Sequence, residues 1–95
     1  MNFAWDPEKQ ARNLRDHGLD FADVPRVFDG PTLEFPDAAH SVGELRVRAV
    51  GLLYGIEVTV IYTDDAEGVR HLVSARKATL HDMERSAFYR AVGGR

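Results

Sequence analysis

Leu45–Thr63 reads LRVRAVGLLYGIEVTVIYT, and this stretch decides the fold. Its halves, Leu45–Leu53 and Ile56–Thr63, are rich in Val, Ile and Leu and are parted only by Tyr54-Gly55. Two β-prone runs around a two-residue break with glycine are a hairpin signal. Working outward, Thr32–Phe35 is a short candidate strand on one side. On the other side the polar turn Asp64–Gly68 leads into a further strand, Val69–Ala75. Such short connections force neighbouring strands antiparallel, because a parallel pair needs a crossover of about a dozen residues. The expected sheet is small, antiparallel and three- to four-stranded.

Helical signals flank these strands. Asp6 suits an N-cap, Pro7 the first helical position, and Glu8 the positive end of the helix dipole. The helix is expected to run to His17, with Gly18 as a left-handed stop. Ala11 and Leu14 supply a modest apolar stripe, with Phe3 and Trp5 expected to cover it. A second short helix is read from Asp20, with Phe21, Val24, Val27 and Phe28 as its buried face and Asp29-Gly30-Pro31 as its end. Pro25 lies one turn in, where it kinks the helix or delays its start. A last helix starts at Thr79, with Asp82 three residues on in a box-like cap. Leu80, Met83, Ala87, Phe88, Ala91 and Val92 give it a helical period, and Gly93-Gly94 end it. The expectation is α+β: an antiparallel sheet flanked by two N-terminal helices and one C-terminal helix, in a single domain over residues 1–95.

Composition narrows the function. The chain is 44% hydrophobic and 28% charged, ordinary for a globular domain. It has no cysteine, which excludes disulfides and thiolate metal sites. The start Met1–Pro7 lacks a basic region followed by an apolar run, and no apolar run approaches the ~20 residues of a membrane span, so the cytoplasm is expected. Net charge is −3, but residues 1–43 hold eight acids and four bases, whereas residues 44–95 hold seven acids and eight bases. A local basic site is compatible with this balance; a broad basic face is not.

Within the hairpin's first half, strand alternation puts Glu44, Arg46 and Arg48 on the face opposite Leu45, Val47 and Ala49. Two arginines two residues apart offer paired donor forks to a phosphodiester, and Glu44 is placed to orient Arg46 or act as a base. The alternative is a solvated strand with ordinary salt bridges. On the Val69–Ala75 strand, Arg70, Leu72, Ser74 and Arg76 share one parity, and Lys77 follows. The Ser74–Thr79 stretch leads into a helix start whose N–H groups suit an anion; the alternative is a helix-entry loop with hydrated basic residues. Lys9, Asn13 and His17 lie at i, i+4 and i+8 of the first helix, and histidine titrates near neutral pH. For Asn13 a solvated polar face is the preferred reading. The four histidines, 17, 40, 71 and 81, show no metal-ligand spacing, and no glycine loop precedes a helix, so neither a metal nor a cofactor is expected.

Taken together, these motifs resemble the BrnT family of toxins from BrnT–BrnA type II toxin–antitoxin systems. The resemblance lies in Phe3-x-Trp5-Asp6-Pro7-x-Lys9-x-x-x-Asn13-x-x-x-His17-Gly18 and in the segment from Phe21 to Val27-Phe28-Asp29. It continues in His40-Ser41-x-x-Glu44-x-Arg46 with Gly51 after it, and in Arg70 and Val73–Thr79, with Glu84-Arg85 and Tyr89. It implies a RelE-like fold and a ribonuclease that arrests growth without a metal, the RNA's own 2′-hydroxyl attacking the phosphorus. It also implies a BrnA-like ribbon-helix-helix antitoxin as partner, operator DNA reached only through that antitoxin, and no membrane. On this basis Arg46 and Arg76 are assigned to the phosphate, and Glu44 and His40 to proton transfer or to orienting the arginines. Lys9, His17, Arg48, Arg70 and Lys77 are candidates for RNA contact. The competing function is a non-catalytic protein-binding module, or a degenerate toxin that acts only as co-repressor.

Overall fold

The computed structural model describes residues 1–37 and 45–82. His40, Glu44 and the part of the expected last helix beyond Asp82 lie outside the described residues. The elements are β1 (Asn2–Ala4), α1 (Pro7–His17), a 3-10 helix (Val24–Asp29), β2 (Leu33–Pro36), β3 (Val47–Leu53), β4 (Ile56–Asp64) and β5 (Val69–Lys77). Helical residues resume at Leu80. The strands form one sheet in the order β1-β5-β4-β3-β2.

From β2 to β5 the sheet is the expected antiparallel run. The hairpin turns at Tyr54-Gly55, with φ of 51° and 81°, the positive pair that a tight I′-type turn requires. The expected strand count is corrected to five, because Asn2–Ala4 pairs in parallel with Val69–His71. Three residues with two aromatics nearby carry too little pattern to announce a strand; the partner's free edge makes it one.

The core occupies one face of the sheet. Ala49 and Leu53 of β3, Val58, Val60 and Tyr62 of β4, and Leu72 and Ala75 of β5 are buried there. Phe21, Val24 and Val27 cover them, with Phe3, Trp5 and Phe28 packed at the margin. The second helix is a short 3-10 segment with Pro25 in its first turn, which fits a ring that cannot donate to a preceding turn. It sits close to β3 because Gly51 has no side chain: a Cβ there would come within 2.7 Å of Val27 Cγ1 and 3.0 Å of Thr32 Cγ2.

α1 starts and stops as expected. Asp6 accepts from Glu8 N at 2.8 Å, and Gly18, at φ 71°, donates to Leu14 O. Its docking differs from the expectation. Ala11 is exposed and Leu14 is 48% exposed, so no covered apolar stripe forms. The buried residue is Asn13, a correction to the solvated face expected for it. Asn13 Nδ2 donates to Ala75 O and Leu19 O at 2.9 Å each, while Oδ1 accepts from Ala75 N at 3.0 Å. Its amide thus replaces a neighbouring strand along the β5 edge beyond the reach of β1. Gln10 adds a second bracket, accepting from Trp5 Nε1 at 3.0 Å and donating to Asp20 at 2.8 Å.

Candidate active site

The opposite face of the sheet is polar at its centre. In register terms, Arg48 of β3 aligns with Ile61 of β4, and Ile61 with Ser74 of β5. The next row runs Val50, Thr59, Arg76. Arg48 and Arg76 therefore stand two strands and one row apart, with Thr59 fully buried between them.

Asp82 joins them. It is fully buried, and its Oδ1 lies 3.4 Å from Arg48 Nη1. Its Oδ2 accepts from Arg76 Nη1 at 3.1 Å and from Thr59 Oγ1 at 2.9 Å. The same oxygen takes Thr79 N at 3.2 Å and Thr79 Oγ1 at 2.9 Å, while Thr79 Oγ1 receives Asp82 N at 3.2 Å. The box-like cap read in the sequence exists, and it also delivers a carboxylate into the arginine pair. Burial works to raise the Asp82 pKa, but the donors from Thr79, Thr59 and Arg76 outweigh it and hold the group at about 2. A carboxylate so reluctant to take a proton is a poor general base near neutral pH, so Asp82 fixes charge and geometry. Asp37, also buried, accepts from Arg48 Nη2 at 3.4 Å, and the Arg48 guanidinium lies 5.6 Å from the centre of the Phe35 ring.

A bulge decides which basic residues share this face. Ile61 pairs with Ser74, yet Tyr62 pairs with Leu72, so Val73 is an extra residue on β5. The single parity read for Arg70, Leu72, Ser74 and Arg76 is thereby corrected. Ser74 and Arg76 lie on the polar face, and Arg70 and Leu72 on the core face. Arg70 donates to both oxygens of Asp64 at 2.8 and 2.9 Å. Its guanidinium stacks 3.8 Å from the Tyr62 ring centre and 4.7 Å from that of Phe28. Tyr62 in turn donates to Glu34; burial first, and this carboxylate second, push its phenol well above the usual range.

Three clefts adjoin one another on the polar side, sharing lining residues. The first, about 200 Å³, lies among Asp37, Arg46, Arg48, Ser74 and Arg76. The second, about 520 Å³, extends past Arg46 to Lys9, Trp5, Asp65 and His71. The third, about 190 Å³, runs from Lys9 along α1 to Arg12 and His17. Val73, the bulge residue, lines all three. The structure thus brings Arg46, Arg48 and Arg76 to one cleft, Arg46 and Lys9 to the next, and Lys9 and His17 to the third. It leaves Arg70 on the other face, and Lys77, exposed at the end of β5, lines none of these clefts. His40 and Glu44 lie outside the described residues.

Sequence reading missed the counter-charges Asp37 and Asp82, and a pair between His71 Nε2 and Asp65 Oδ2 at 2.8 Å. The available signal for that pair was the Asp65–Gly68 turn, which folds β5 back beside β4 and brings position 71 next to position 65. Among the described residues no three His, Cys, Asp or Glu side chains gather as a metal site.

Three arginines against one aspartate make the cleft at Asp37 suited to an anion such as a phosphodiester, whereas Asp6, Asp64 and Asp65 line the larger one beside Lys9 and Arg46. Comparison with known proteins makes that class specific. The family model for the ribonuclease toxin BrnT of type II toxin–antitoxin systems matches residues 5–82. A crystal structure of the Brucella abortus ribonuclease toxin BrnT superposes with a TM-score of 0.69 at 31% identity, over 83% of this chain and 97% of that one. Comparison with curated proteins gives no match. The fold and the matches define a ribonuclease toxin of the type II class. The chain belongs to the BrnT family of these toxins, whose class implies an RNA target and an antitoxin partner.

Proposed function

We propose that the adjoining clefts are the RNA-cleaving site of a metal-independent endoribonuclease formed by a single domain over residues 1–95. Its support is the placement of Arg46, Arg48, Arg76, Lys9 and His17, from three separate elements, along these clefts. In this reading the ribose 2′-hydroxyl attacks the adjacent phosphorus and leaves a 2′,3′-cyclic phosphate. The protein's work is alignment, charge stabilisation and proton transfer. Arg46 and Arg76 hold the phosphate, with Arg48 beside them. Asp82 keeps Arg48 and Arg76 aimed before RNA arrives. Lys9 and His17 guide the strand along α1. His40 and Glu44 belong to the same proposal as proton-transfer or orienting groups.

The toxin's partner is proposed to be a BrnA-like ribbon-helix-helix antitoxin, with operator DNA bound through that antitoxin and the pair acting in the cytoplasm. A RelE-like mechanism fits the same chemistry. No helix among the described residues is long and apolar enough to cross a membrane.

One observation favours a second reading. Arg48 and Arg76 already spend donors on Asp82 and Asp37, so the same cluster serves a binding module or an inactive co-repressor equally well. Expression in a bacterial host separates the two. The active toxin arrests growth, and its purified form cuts RNA to cyclic-phosphate ends in the presence of chelator. Folded Arg46→Ala/Arg76→Ala is expected to lose roughly 10²-fold or more in cleavage rate. Full cleavage by that variant sinks the site; no cleavage by the parent favours the second reading.

A further inference from the structure

We propose that His71 is a catalytic base of this chain, taking the proton of the attacking ribose hydroxyl, with Asp65 as the residue that positions it. The inference rests on the reading of the clefts as an RNA-cleaving site. His71 lines the largest of the three clefts together with Lys9 and Arg46. Its side chain is 45% exposed, so a substrate reaches it.

The geometry is that of an oriented imidazole. Nε2 lies 2.8 Å from Asp65 Oδ2, which fixes the ring proton on Nε2 and leaves Nδ1 with a lone pair. Among the described residues Nδ1 has no hydrogen-bond partner. Asp65 is itself held by its turn. Its Oδ1 accepts from Glu67 N at 2.9 Å and from Val69 N at 3.0 Å, and its own N donates to Val69 O at 3.0 Å. Its carboxyl lies below the usual range, chiefly through the His71 bond and then through the Val69 N–H. The turn is complete without the imidazole, and an exposed pair of this kind contributes little to stability. Function explains the pairing better than folding does.

The step balances as follows. Nδ1 takes the 2′-hydroxyl proton as the O2′–P bond forms. The P–O5′ bond breaks, and the leaving oxygen takes a proton from water. The imidazolium, stabilised by Asp65, returns its proton to the resulting hydroxide. Arg46, which lines both the His71 cleft and the Arg76 cleft, carries the extra phosphate charge. Asp82, held at about 2, has no such capacity. The charged groups around the ring are Asp65 and Asp64 from the turn side, Asp6 and Lys9 from the start of α1, and Arg46 ahead of β3.

The test is single-turnover cleavage of a short RNA by the parent, His71→Ala, His71→Gln and Asp65→Asn, each checked for an unchanged urea midpoint. Both His71 variants are expected to lose roughly 10²–10⁴-fold in cleavage rate. Added imidazole restores part of the His71→Ala rate. Asp65→Asn keeps an oxygen for the turn but removes the charge; it loses roughly 10-fold in the single-turnover rate with RNA affinity unchanged. Parental cleavage by either folded His71 variant overturns the assignment, and so does a loss that imidazole does not restore. A parent that leaves RNA intact overturns the RNA-cleaving reading itself, which is a different failure.

Discussion

The two faces of the sheet bury arginine in opposite ways. On the core face Arg70 is held by Asp64 at the rim and flattened on Tyr62 and Phe28, so its charge serves packing. On the polar face Arg48 and Arg76 meet a fully buried carboxylate, and their remaining donors border a cleft. The residue type is the same, and Arg70 and Arg76 even share β5. The difference teaches that a single extra residue, Val73, sends one arginine to the core face and the other to the polar face. It also shows why buried charge appears where it does. A charge removed from water needs a partner and further hydrogen bonds, and the Asp82 cluster supplies both.

The contrast can be broken at its strongest point. Asp82→Ala leaves Arg48 with Asp37 alone, takes the carboxylate from Arg76 and strips Thr59 and Thr79 of their acceptor. A loss of about 3–5 kcal/mol is expected in urea unfolding. A loss below about 1 kcal/mol would mean that the cluster is a solvated surface pair.

Asn13→Ala tests the polar bracket on β5. It abandons both backbone groups of a buried residue, and about 2–3 kcal/mol of stability should go. Hydrogen exchange at Ala75 should quicken more than at Val60, which pairs inside the sheet.

Acid addresses Asp82 without mutation. Its folded pKa, about 2, lies below the usual carboxylate value of 3.8. Its contribution is therefore complete above pH ~4 and is lost as pH falls toward 2, by about 2 kcal/mol in the parent. In Asp82→Asn that part of the acid transition should disappear; an unchanged acid profile would show that other carboxyls govern it.

The smallest effect sharpens the comparison most. Arg70→Ala removes the stacked cation and is expected to cost about 1–2 kcal/mol. Cleavage per folded molecule should stay at the parental level, whereas Arg76→Ala should lose cleavage. Equal losses from both would mean that the two faces do not divide structure from chemistry.

Much of this was legible before any coordinates. Capping residues at Asp6, Gly18 and Thr79, the Tyr54-Gly55 turn and the four later strands follow from short-range rules. These rules act over a few residues, and the chain states them directly. The Lys9, His17, Arg46, Arg48 and Arg76 candidates were legible as chemical types. What was not legible was their company. Asn13 looked like a solvated helix residue because its partner, Ala75, lies 62 positions away. Ala11 and Leu14 looked like a buried stripe because periodicity cannot tell which side of a helix will be docked by polar bonds.

The sequence by itself therefore determined the α+β class, the antiparallel run of strands and a pool of basic residues suited to a phosphodiester. Tertiary structure alone decided that β1 closes the β5 edge, that Val73 bulges, that Asp82 reaches across to Arg48 and Arg76, and that His71 meets Asp65. The reason is physical. Turns, caps and alternation are settled by steric and hydrogen-bonding choices within a few bonds. Register, bulge position and the pairing of buried charges are settled by the whole packed molecule, where each unpaired polar group is costly and only the complete fold supplies its partner.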